Sequence, residues 1–203
     1  MSLKLRFDRE RGLPFILTGF VVLLDQITKT FIAAGWDIGS RIWPDGAYFN
    51  PENLLQIIHV RNTAIAFSIG QDLPPEAKRI LFVILPVIVL FVLVWYYLSS
   101  SDFTRLQRWA VAGILGGGIG NIADRIFRYP YGVVDFISVR FFGIFGFERW
   151  PTFNVADTSV VISCLLLIVT IFIGAKKTAP KTPTPERQTA KVAAGERNDE
   201  QET

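Results

Sequence analysis

The chain has 203 residues, half of them hydrophobic, with a formal net charge of +3 and one histidine and one cysteine. Such a composition, with a mean hydropathy of +0.35, excludes an ordinary soluble domain and points to a membrane protein. The lone Cys164 allows no internal disulfide, the lone His59 argues against a His or Cys metal site, and no Walker-type phosphate loop is present. The basic residues lie at the flanks of apolar runs, so the positive charge does not indicate nucleic acid.

Residues 1–12 are polar and basic, with Lys4, Arg6, Arg9 and Arg11. An apolar run from Leu13 continues past Asp25 to Ala34. A cleaved signal peptide is the competing reading, with Ile32-Ala33-Ala34 as a small-residue site. Asp25 and Lys29 in the apolar half favour a retained helix over 14–34, which at ~1.5 Å per residue matches the bilayer core. Residues 35–79 are mixed, and the Ile, Val, Thr and Phe between Leu54 and Ile69 predict short strands in a small sheet or lid at the membrane surface. Residues 80–98 carry no charge and predict a spanning helix that tolerates Pro86 and ends in the aromatic belt Trp95-Tyr96-Tyr97.

A polar loop from Ser99 to Arg108 leads to a third helix over about 109–127, which contains Gly116, Gly117, Gly118 and Gly120. Small residues there permit close helix packing. Tyr129-Pro130-Tyr131-Gly132 ends it, and 128–152 is a second extracytoplasmic segment. Its aromatic run, Phe141 to Phe147, suits a lid. A fourth helix covers about 153–175. Residues 176–203 are polar and proline-containing and predict a disordered tail.

The expected fold is therefore an all-α polytopic membrane protein. It has four transmembrane helices, a small extracytoplasmic β-sheet and a loop/lid segment. Residues 1–175 form one membrane-embedded domain. Four spans put both termini on one side, and the Lys and Arg bias makes that side cytoplasmic, although Lys78 and Arg79 run against it.

Acids inside these apolar surroundings are the chemistry-bearing feature, because ionised carboxylates beside hydrocarbon are costly. Asn121 with Asp124 and Asn154 with Asp157 share the pattern Asn-x-x-Asp, and Asp135 follows the third helix. At i, i+3 on a helix an amide and a carboxylate share a face. An amide can orient a carboxylate without neutralising it. Asp124, Asp135 and Asp157 fall near one interface. Two carboxylates in a partly dry site share a proton, so one acts as base while the other holds the proton. The bland alternatives are specific. Asp157 can be a helix N-terminal acid, Asp124 an ion-pair partner of Arg125 or of another helix, and Asp25 a partner of Lys29 at i, i+4. Lys29 is expected to reach toward the interface, Asp25 to bond across to another helix, Asn62 to be a turn residue, and His59 to be a surface or strand histidine.

Five stretches carry a resemblance. Asp25-Gln-Ile-Thr-Lys29, Asn62-Thr-Ala-Ile-Ala-Phe67, Gly116 to Arg125, Val133-Val-Asp-Phe136 and Phe153-Asn-Val-Ala-Asp157 resemble, in order, the signatures of lipoprotein signal peptidase (signal peptidase II). The resemblance spans roughly residues 14–175. It implies a bacterial inner-membrane aspartic endopeptidase that cuts prolipoprotein signal peptides just before a diacylglyceryl-modified cysteine. It implies Asp135 and Asp157 as the catalytic pair, and Asn62, Asn121, Asp124, Arg125, Asn154, Asp25 and Lys29 as substrate-binding or supporting residues. It also implies inhibition by the peptide globomycin, contact with membrane lipid, and no metal or cofactor. A monomer without nucleic acid is expected. The family usually has glycine where this chain has Ala64. Two other classes compete: a proton- or cation-coupled carrier that uses the intramembrane acids, and a non-enzymatic scaffold. The carrier predicts an inverted repeat, and only the Asn-x-x-Asp echo is present.

Overall fold

The computed structural model describes residues 8–44, 52–64, 70 and 72–178. Ile65, Ala66 and Phe67 of the second signature, the first seven residues and the expected disordered tail from 179 onward lie outside the described residues. The chain divides into two compact units, Met1–Thr170 and Ile171–Thr203. In the second, residues 171–178 are helical, so the helix passes the expected limit at 175.

The described residues form six helices and four strands: α1 (Arg9–Gly12), α2 (Phe15–Gly35), β1 (Arg41–Trp43), β2 (Leu55–Asn62), α3 (Pro75–Arg79), α4 (Leu85–Ser99), α5 (Arg105–Phe127), β3 (Val133–Ile144), β4 (Phe147–Arg149) and α6 (Val155–Thr178). A π-helical turn, Ile80–Ile84, joins α3 to α4. Among the described residues, three helical stretches are long and apolar enough to cross a membrane: Arg9–Gly35, Pro75–Ser99 and Val155–Ile173. The expected fourth, α5, is as long but less apolar, because glycines and the polar residues at 121–125 replace aliphatic side chains. Its start is set by a capping box. The Thr104 hydroxyl accepts from the Gln107 amide, and the Gln107 side chain accepts from the Thr104 amide at 2.9 Å.

Helix α2 buries Thr18, Val21, Asp25, Lys29 and Ile32, a stripe at helical spacing. That stripe packs on α5, where glycine lets the backbones approach. A Cβ at Gly116 would stand 2.8 Å from Val21 Cβ, and one at Gly120 would stand 2.6 Å from Asp25 Oδ2. On the other side, a Cβ at Gly117 would stand 2.6 Å from Val160 Cγ2 of α6. Tyr97 of α4, with Val111 and Leu115 of α5, forms a buried cluster near the other end of the bundle.

The four strands form a single antiparallel sheet in the order β1-β2-β3-β4. Of the short strands expected between Leu54 and Ile69, β2 covers Leu55–Asn62 and residues 65–69 lie outside the described residues; 133–149 is a hairpin of the same sheet and not only a loop. Its β-branched run Val133-Val134-Asp135-Phe136-Ile137 pairs with β2, with Asp135 opposite Val60 and Val133 opposite Asn62. Gly132 leads into it at φ +75°, where a side chain would run into the Asn62 carbonyl. Val134 and Phe136 point to the other face and pack with Ile32 of α2. Successive residues of a strand face opposite ways, so Asp135 is left on the face shared with Asn62.

Gly117→Val should therefore lower the melting temperature in detergent, by a loss on the order of 1–3 kcal/mol from overpacking. Gly35→Ala, whose Cβ meets nothing within 4 Å, should not. Equal melting temperatures for the two variants would contradict the close α5–α6 approach.

Candidate active site

A cavity of about 860 Å³ is lined by Asn62, Asn121, Arg125, Asp135 and Asp157, with Trp150 and Val160 among its apolar walls. Asp135 comes from β3 and Asp157 from the first turn of α6. All four carboxylate oxygens accept a hydrogen bond, and none of these donors is a cation. Asn154 Nδ2 donates to Asp135 Oδ1 at 2.7 Å, and Asn62 Nδ2 donates to Asp135 Oδ2 at 3.0 Å. Asn121 Nδ2 donates to Asp157 Oδ1 at 2.7 Å, and the Asn154 amide donates to Asp157 Oδ2 at 3.1 Å. Asn154, fully buried, thus ties the two aspartates together.

The two Asn-x-x-Asp pairs behave differently from the expected shared helix face. Asn154 precedes α6, and the Asp157 amide donates back to its Oδ1 at 2.9 Å. This is a reciprocal N-terminal cap, so the helix-terminal reading of Asp157 holds together with its place in the cavity. In the other pair, Asn121 reaches across to Asp157 while Asp124 turns away. Asp124 is fully buried; Lys29 Nζ is 3.3 Å from its Oδ2, and Arg128, not Arg125, pairs with its Oδ1. Adjacent helical residues diverge by ~100°, which separates Asp124 from Arg125. Arg125 donates to the main-chain carbonyls of Asn121 at 3.2 Å and Ala64 at 3.1 Å.

Asp25 and Lys29 pair at 2.9 Å as expected, but both are fully buried, so Lys29 does not reach for the interface. It ends on Asn121 Oδ1 at 2.9 Å, because two acids and an amide within reach satisfy its charge better than an apolar path outward. Asp25 does bond across: the Ala156 amide at the start of α6 donates to its Oδ1 at 2.9 Å. Asp124 does the same for the sheet, accepting from the Val134 amide at 3.0 Å. Ala156 and Val134 immediately precede Asp157 and Asp135.

Asn62 is a turn residue, its Oδ1 accepting from the Ala64 amide at 3.0 Å, and also a site residue, its Nδ2 holding Asp135. Ala64 itself is buried and is not among the positive-φ residues, so alanine in place of glycine carries no backbone strain there. His59 lies on β2 but is buried, with Nδ1 donating to the Trp36 carbonyl at 2.7 Å. Gln26 was not singled out from the sequence. It donates to Asp124 Oδ1 at 3.0 Å and to the Gly120 carbonyl at 3.1 Å, and its position between Asp25 and Lys29 was the available signal.

Burial, and then the neighbouring Asp157, push the Asp135 carboxyl up from its ordinary value near 3.8 to about 7, although the Asn62 and Asn154 hydrogen bonds pull it the other way. A buried carboxyl that holds a proton to neutral pH, sharing a cavity and an asparagine with a second carboxylate, can run acid–base chemistry on one water.

A family model described as signal peptidase (SPase) II matches residues 17–173. The chain belongs to the signal peptidase II family. Members of this family are aspartic peptidases, and the chain is an enzyme of that class. Over 182 residues it is 42% identical to the lipoprotein signal peptidase of Treponema pallidum (strain Nichols), covering 88% of this chain and 92% of the relative. Over 149 residues it is 47% identical to that of Treponema denticola, covering 73% and 82%. A solved structure described as a bacterial membrane enzyme, obtained by the in meso method, superposes with a TM-score of 0.68 at 28% identity, covering 91% of this chain and all of that one.

Two outcomes test this geometry. Between pH 4 and 7 the folded state keeps a proton on Asp135 that the unfolded chain has released, so stability should fall as pH rises through that window and level off above it. Asp135→Asn should flatten the melting-temperature profile there; an unchanged slope would contradict the shift. Asp25→Asn should instead cost stability at every pH, on the order of 3–5 kcal/mol, because Lys29 loses a buried partner. Thermal melts of the two variants in one detergent check both.

Proposed function

We propose that this chain is a membrane aspartic endopeptidase that removes the signal peptide from diacylglyceryl-modified prolipoproteins, cutting just before the lipidated cysteine, with Asp135 and Asp157 as the catalytic pair. The observation that carries the reading is the pair itself: two carboxylates in one cavity, joined through Asn154 and held by neutral donors alone. The names of the curated relatives support the substrate class.

In this mechanism one water lies between the two aspartates. Asp157 takes a proton as the water oxygen attacks the scissile carbonyl carbon. Asp135, which keeps its proton to about pH 7, donates a hydrogen bond to the carbonyl oxygen and then the proton itself. On collapse, Asp157 protonates the leaving amine and Asp135 recovers its proton. Asn62, Asn121 and Asn154 orient the carboxylates, and Arg125, on the cavity wall, meets the substrate backbone. No metal or cofactor takes part.

We place the protein, as a monomer, in the bacterial inner membrane. There α5 is the fourth span, both termini are cytoplasmic, and the cavity opens at the outer interface, where the signal peptide enters from the bilayer. The β3–β4 hairpin, with Phe147 and Trp150 on the cavity wall, is the lid. A carrier is disfavoured, because Asp25 and Asp124 are tied to Lys29 and Arg128 and trace no path across the bilayer.

The test is cleavage of a diacylglyceryl-modified lipobox peptide by the purified protein in detergent, with and without globomycin. Asp135→Asn and Asp157→Asn should each lose on the order of 10³-fold or more in rate while staying folded. The double variant should be little worse, because the pair acts as a unit. Substantial cleavage by folded Asp135→Asn would sink the dyad.

A further inference from the structure

A second cavity, of about 760 Å³, adjoins the first and shares Asn62, Thr63 and Arg125 with it. Its apolar wall includes Phe82 and Val83 from the π-helical turn and Ile126 from the end of α5. Lys78 and Arg79 of α3 also line it, the first half-buried and the second exposed. Glu76 is the one acid among its lining residues. Among the described residues, no ion pair involves Lys78, Arg79 or Arg125. Three cations against one acid beside an apolar wall are complementary to an anionic amphiphile.

The peptidase mechanism uses neither Lys78 nor Arg79. The diacylglyceryl group of the proposed substrate is uncharged and leaves both cations unmatched. They also stand at the end of the bundle that holds the candidate site, which on the orientation proposed above is the end where Lys and Arg are disfavoured. A headgroup phosphate is the anion that a bilayer supplies at that depth, and basic residues near the surface gain from it.

We propose that this cavity binds an anionic phospholipid, with its phosphodiester at Lys78 and Arg79 and an acyl chain along Phe82, Val83 and Ile126. The proposal rests on the reading of the chain as a membrane enzyme whose cavity opens to lipid. The bound lipid forms the wall of the substrate cavity on the Arg125 side.

The test uses the full chain, purified in mild detergent with a mixture of phosphatidylglycerol and phosphatidylcholine. Native mass spectrometry then counts the retained lipid, without any cleavage assay, so its outcome is separate from that of the peptidase test. The wild type should retain phosphatidylglycerol over phosphatidylcholine. Lys78→Gln/Arg79→Gln should weaken that retention by about tenfold or more, as expected for two surface cations facing a phosphate. The charge-keeping swap Lys78→Arg/Arg79→Lys should preserve it. So should Arg9→Gln/Arg105→Gln, which removes two exposed cations elsewhere. Equal retention of the two lipids would overturn the proposal, as would an equal loss in the Arg9/Arg105 variant. Displacement of phosphatidylglycerol by millimolar inorganic phosphate would make this a free-phosphate site and overturn it too.

Discussion

One buried cation governs the arrangement. Lys29 has no exposed surface and lies between Asp25 of its own helix and Asp124 of α5. An unpaired ammonium in that position would be prohibitively costly, so the charge ties α2 to α5. Each acid then uses another bond on a backbone amide of a further element. Asp25 takes Ala156 of α6, and Asp124 takes Val134 of β3. The next residue along each element is one of the two cavity aspartates. A neutralised pair of acids thereby fixes where a second, unneutralised pair is placed.

The same residue type has two fates here, and the difference is the charge of its neighbours. Asp25 and Asp124 contact Lys29 and, for Asp124, Arg128 as well, so each of these buried acids has a cation beside it. Asp135 and Asp157 contact asparagine amides and a backbone amide only. Asn121 keeps the two environments apart. Its Oδ1 accepts from Lys29 Nζ while its Nδ2 donates to Asp157, so orientation passes through but direct contact with the cation does not. Asp157 is thereby left with neutral donors alone.

Much of this was legible because it is local. The i, i+4 spacing of Asp25 and Lys29, the uncharged stretch before Trp95 and the strand-forming residues before Asn62 all report contacts made within a few positions. What failed was direction. Asn154 and Asp157 read as one helix face, yet a terminal residue lies outside the helix and caps it. Asp124 read as the acid of a local or interhelical ion pair, and it is both, but its local partner is Arg128 one turn on and not the adjoining Arg125. The hairpin was hidden by its aromatic end. Ile144 pairs with Phe147 across Phe145 and Gly146, at φ +53° and +82°, and no turn signature marks a phenylalanine in that conformation. The cavity walls at Trp150 and Val160 leave no local signal at all, since only tertiary packing brings them to the aspartates.

Helix α5 is the least apolar of the long helices and carries the most of the polar arrangement. Apart from Arg105 at its start, its exposed side chains are apolar: Leu106, Ile119, Ile126 and Phe127. Its inward positions include glycines that admit α2 and α6, together with the buried Asp124. A lipid-facing helix must be apolar on the outside, whereas a helix enclosed by others is free to carry small and polar residues within. Close packing also removes water from those polar groups, so each must find its partner in the protein, as Asp124 does in Lys29, Arg128, Gln26 and the Val134 amide. The least apolar of the long helices is therefore the one around which the polar site is built.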